Sequence, residues 1–136
     1  AGGGWPEATI LRDGAWVASW SDGSDTMWVS VSHDAGATWT ATAIDQAATA
    51  GPVYGHPFLR PRAAGGFDAV WFGKDNVTAG RFGGDGALLA VAVSPAPGGG
   101  HSDYPFFDHA PDGRIVAPFV TPDGNGLRLA VSTPDS

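Results

Sequence analysis

The chain has 136 residues, enough for one modest domain with a real core, and it carries a formal charge of −7 with Lys74 its only lysine. Phosphate binding needs clustered positive charge, so nucleic acid and anionic membranes are poor partners for such a surface. The absence of cysteine excludes disulfides and thiolate metal sites, and no apolar stretch is long enough for a membrane-spanning helix or a signal peptide.

Glycine and proline are abundant, and short apolar runs are broken by Asp-Gly, Gly-Gly and Pro pairs. That punctuation predicts an all-β protein. The elements fall into three groups. The first predicts strands at 7–11, 15–21, 26–32 and 39–45, with turns at Asp13-Gly14 and around Asp22-Gly23. The second predicts strands at 55–62, 67–73, 77–82 and 87–94, with turns at Gly65-Gly66, Lys74-Asp75-Asn76 and Gly83-Gly-Asp-Gly86. The third predicts strands at 104–109, 114–120 and 126–132, with turns at Asp112-Gly113 and Asp123-Gly124. Gln46 to Gly51 and Pro95 to Gly100 read as connecting loops. The first and third groups match over an offset of about 99–100 residues, which implies a repeat of about 50.

Between the third and fourth strands of the first group lies Ser-His-Asp-Ala-Gly-Ala-Thr-Trp, residues 32–39. Asp34 is placed to accept hydrogen bonds from nearby backbone N–H groups, and Gly36 tolerates positive φ. Trp39 is expected to bury a large apolar surface beside the turn. The octet resembles the Asp box, Ser-x-Asp-x-Gly-x-Thr-Trp, of the bacterial neuraminidase repeat found in sialidase-like β-propellers. That resemblance implies a structural role for Ser32, Asp34, Gly36, Thr38 and Trp39, away from any ligand pocket. It also implies an exported bacterial protein, extracellular or at the cell surface. The Ala1-Gly-Gly-Gly start is compatible with a processed N-terminus.

The groups then read as propeller blades at about 7–45, 55–94 and 104–136, the last lacking its fourth strand. Propellers have about four to eight blades, so three cannot close a ring. An open arc leaves strand edges and an apolar flank uncovered. The expected remedies are a second copy, giving a six-bladed ring, or the remaining blades of a longer propeller.

In the resembling family, ligands bind on the face opposite the Asp box. Here that face is expected to collect Tyr54, His56, Lys74, Asp75, His101, Asp103 and Tyr104, a rim of imidazoles, phenols and charged groups suited to a sugar. Trp16, Trp20, Trp28, Trp71, Phe72 and Phe119 are expected to pack in the core. The His101, Asp103, Asp108 and His109 group lacks the spacing of a metal signature, so no metal site is assigned. Acidic turns leave calcium as the one cofactor to consider, but no EF-hand spacing occurs.

Catalysis finds little support. Family sialidases use three arginines, a Tyr–Glu nucleophile pair and an aspartate. Phe58-Leu-Arg60-Pro61 matches the family's arginine signature only loosely. Arg60, Arg62, Arg81, Arg114 and Arg128 include no marked triad, and Glu7 is the only glutamate. The expected function is therefore a secreted binding module for a ligand, carbohydrate being the favoured class. The alternatives are a piece of a sialidase-like glycoside hydrolase and a structural scaffold for surface assembly.

Overall fold

A computed structural model of the chain describes residues 6–22, 26–44, 54–73, 75–95, 106–120 and 126–131. All regular elements among them are strands: β1 (Glu7–Ile10), β2 (Trp16–Ser21), β3 (Met27–Ser32), β4 (Thr40–Ile44), β5 (Tyr54–Pro61), β6 (Phe67–Phe72), β7 (Asn76–Phe82), β8 (Leu88–Pro95), β9 (Asp108–His109), β10 (Ile115–Val120) and β11 (Leu127–Val131). They form three antiparallel meanders, β1-β2-β3-β4, β5-β6-β7-β8 and β9-β10-β11. The all-β expectation and the grouping of strands hold. In the third sheet the described part of the first strand is Asp108–His109, with 106–107 outside it and 104–105 of the expected 104–109 outside the described residues.

The turns explain why the strands fold back where they do. Leu11 N–H donates to Ala15 O and Gly14 N–H to Leu11 O. The same pair of bonds recurs at 62–66, 83–87 and 110–114. Each turn ends on a glycine at positive φ, namely Gly14 (90°), Gly65 (96°), Gly86 (85°) and Gly113 (83°). This is a three-residue hairpin loop whose last position is left-handed, which an L side chain resists. In three of these turns an aspartate, Asp13, Asp85 or Asp112, accepts the N–H two residues on.

Superposing the turns fixes an equivalence between sheets. Trp16, Phe67 and Ile115 occupy one position, Ala18, Ala69 and Ala117 the next on that face, and Trp20, Trp71 and Phe119 the third. Side chains alternate across a strand, so these triplets share one face and the intervening residues the other. The core follows that alternation. Val17, Met27, Val29 and Val31 of the first sheet cluster with Phe67, Ala69, Trp71 and Phe82 of the second. Val70, Phe72, Val77 and Ala79 of the second cluster with Phe107, Ile115, Ala117 and Phe119 of the third. The middle sheet is thus packed on both faces. Gly80 lets Trp71 lie flat over β7, because a Cβ there would stand 2.7 Å from the indole.

The aromatics divide accordingly. Trp71, Phe72 and Phe119 are buried as expected. Trp20 and Trp28 are half-buried and stack on one another, and Trp16 is 39% exposed. All three point away from the second sheet, where no described element covers them. The expectation of a core position is therefore corrected for Trp16, Trp20 and Trp28, none of which belongs to either core cluster.

Candidate functional site

The octet at 32–39 forms the β3–β4 turn, and its geometry derives from short polar side chains. Ser32 Oγ donates to Asp34 Oδ1 at 2.8 Å and accepts Gly36 N–H at 2.8 Å. Asp34 accepts Thr38 N–H at 2.8 Å on Oδ1 and the Thr38 hydroxyl at 2.6 Å on Oδ2. Those Thr38 bonds, with the Ser32 hydroxyl, hold the Asp34 carboxyl down at about 2 from its ordinary 3.8. Gly36 takes φ 87°, and Ala35 beside it takes φ 55°. Trp39 departs from expectation. Its Nε1–H donates to Gly36 O at 3.1 Å, yet the side chain is 45% exposed. It borders a cavity of about 250 Å³ lined by Ala8, Thr9, Ile10, Trp16, Val17 and Trp39. The surface Trp39 was expected to bury lies open on the side of the first sheet that faces no described neighbour.

A second constellation lies between the second and third sheets. Asp68 on β6 is fully buried, at a position that is valine in the other two sheets, Val17 and Val116. Arg81 on β7 donates to both its oxygens, Nε to Oδ1 at 3.1 Å and a terminal nitrogen to Oδ2 at 3.3 Å. His109 Nε2 lies 2.9 Å from Oδ2, and Arg62 Nε 3.5 Å from Oδ1. Arg81 also donates to Gly113 O, and Arg60 on β5 donates to Phe107 O. These bonds tie the second sheet to the third. Burial of a lone carboxylate is costly, and here the guanidinium groups of Arg81 and Arg62 offset it, with the His109 ring of the third sheet within hydrogen-bond distance.

A cavity of about 270 Å³ opens over this cluster, bounded by Arg62, Arg81, His109 and the 110–113 turn. Its guanidinium donors turn inward, Arg81 to Asp68 and Gly113 O, Arg62 to Phe82 O. The arrangement suits a structural lock better than a ligand clamp. It sits at the same end of the strands as the octet, since the 83–87 turn abuts the first sheet at Asp13 and Val31. Nothing in the sequence reading singled out Asp68. The available signal was a carboxylate standing where the equivalent strands carry valine.

Of the expected rim, Tyr54, His56 and Asp75 are among the described residues. Lys74, His101, Asp103 and Tyr104 fall outside the described residues. Tyr54 and His56 lie on the backbone of β5. Asp75 is exposed in the β6–β7 turn. On the first sheet, Asp22 accepts Thr26 N–H at 3.2 Å and Trp28 Nε1–H at 2.9 Å, which ties the β2–β3 turn to the sheet below. Among the described residues no cluster of three or more His, Asp or Glu is placed to hold a metal. Among the described residues no helix is long and apolar enough to cross a membrane.

No protein-family model matches the chain, and no curated protein matches it either.

Proposed function

We propose that this chain is part of an Asp-box propeller that works as a non-catalytic binding module outside the cell, with carbohydrate as its ligand class. The observation that carries the reading is the succession of meandering sheets, each packed on the next through the same face. The octet adds to it by sitting at the third turn of the first sheet with its side chains spent on its own backbone.

The disposition of carboxylates favours binding over catalysis. Asp13, Asp34, Asp85 and Asp112 each accept an N–H of their own turn. Asp68 is enclosed by Arg81, Arg62 and His109. Hydrolysis of a glycosidic bond instead needs two carboxyl groups facing one substrate. The ligand end is then the one opposite the octet, the end of the strands at which Asp22 follows β2, Asp75 precedes β7, and β5 begins with Tyr54 and His56.

A glycan array probed with the assembled protein tests this. Binding to a defined glycan class, lost on Asp75→Ala or His56→Ala with the fold intact, is the expected result. An array without signal refutes the carbohydrate reading.

A further inference from the structure

The outward face of the first sheet is apolar, that of the third is apolar apart from the exposed Asp108 on its edge strand, and the two are of opposite kind. On the second and third sheets, the triplets Phe67, Ala69, Trp71 and Ile115, Ala117, Phe119 are each buried by the sheet before them, at 6% exposure or less. The equivalent triplet on the first sheet is Trp16, Ala18, Trp20, and no described sheet precedes it. Its register partners extend the same face. Ile10 and Ala8 lie opposite Trp16 and Ala18 on β1, and Ser32, Ser30 and Trp28 opposite Trp16, Ala18 and Trp20 on β3. No charged residue stands at any of these positions, and Ile10 is 60% exposed beside Trp16 and Trp39.

The third sheet presents the complement. Val116 and Pro118 alternate with the residues that face the second sheet, and Leu129, opposite Pro118, is 60% exposed. The further register pairs are Val116 with Val131 and Val120 with Leu127, all apolar residues at alternate positions. Within the chain, the face that follows one sheet always meets the triplet face of the next. Among the described residues no sheet precedes the first or follows the third.

We infer that a second copy of this chain covers both faces at once, its third sheet seated on the Ile10–Trp16–Trp39 face and its first sheet on the Val116–Pro118–Leu129 face. The inference rests on reading the sheets as propeller blades. It adds the surface, the partner and the head-to-tail sense of the contact. Two such contacts related by a two-fold axis close a ring of six sheets, within the range propellers use. A chain of formal charge −7 repels its own copies, and these two faces carry little of that charge, Asp108 at the edge of the third sheet being on one of them. Apolar patches of this kind on a soluble protein mark interaction sites.

The test is solution mass by light scattering across a dilution series, with Ile10→Asp and Leu129→Asp, each checked by circular dichroism for a retained β fold. The unaltered chain is expected at twice the chain mass. Each variant alone is expected to shift to the monomer, because both contacts of its pair carry the change. An equimolar mixture of the two variants is expected to recover the dimer, since one contact then joins two unaltered faces. A monomer for the unaltered chain overturns the inference, as does a Leu129→Asp variant that dimerises like the unaltered chain. No ligand enters the measurement, so its failure is distinct from failure of the glycan reading.

Discussion

Asp68→Val tests the lock between the second and third sheets most directly. Valine is the residue at both equivalent positions, so shape and strand preference are not what the substitution removes. It removes the carboxylate and leaves Arg81, Arg62 and His109 facing an apolar site. Breaking a buried pair from one side costs about 3–5 kcal/mol. Arg62 and Arg81 keep 19% and 14% exposure, so they regain some hydration, and the expected loss lies near the lower bound, about 3 kcal/mol. The double variant Asp68→Val/Arg81→Leu removes the charge pair from both sides. Its loss is expected to be smaller than that of Asp68→Val alone, a departure from additivity of about 2 kcal/mol. Urea denaturation at fixed protein concentration reads these values, with the dependence on denaturant checked for constancy. Losses that simply add, or a cost below about 1 kcal/mol for Asp68→Val, refute the lock.

Two further substitutions probe the local devices. The folded Asp34 carboxyl titrates at about 2 against an ordinary 3.8, so its contribution to stability is complete above about 4 and is lost as pH falls through about 2. The melting temperature of Asp34→Asn is therefore expected below that of the unaltered chain at neutral pH, with the gap closing through that acid window. A gap independent of pH counts against the hydrogen-bonded carboxylate. Gly80→Ala places a methyl 2.7 Å from the Trp71 ring and 2.9 Å from Phe82, and is expected to cost about 1–3 kcal/mol by chemical denaturation. An unchanged midpoint would mean that Trp71 does not lie across β7.

Much of the architecture was legible because it is set by neighbours in sequence. A left-handed glycine after an aspartate closes a hairpin wherever it occurs, so Gly14, Gly86 and Gly113 announced their turns before any packing was considered. The strand limits at 16–21, 27–32, 67–72 and 88–95 fell within about one residue of expectation for the same reason. The octet was legible too, since the bonds among Ser32, Asp34 and Thr38 span no more than four residues.

Burial was less legible. Trp16 and Trp71 occupy equivalent ends of one apolar triplet on strands of the same period, and their indoles read alike in sequence. Trp71 is fully buried and Trp16 is not, because one faces another sheet and the other does not. The Asp68 cluster was hidden for a related reason. His109 joins it from 41 residues away, and a single carboxylate in an apolar strand carries no local sign of what neutralises it.

From the sequence alone came the strands, their turns and the repeat, since each depends on backbone preferences that a few adjacent residues satisfy. The tertiary structure alone decided which face of each sheet meets water, which side chains surround Asp68, and which two apolar surfaces stay uncovered. Those outcomes depend on which sheet lies against which, and desolvation acts on side chains that packing brings together across long stretches of chain.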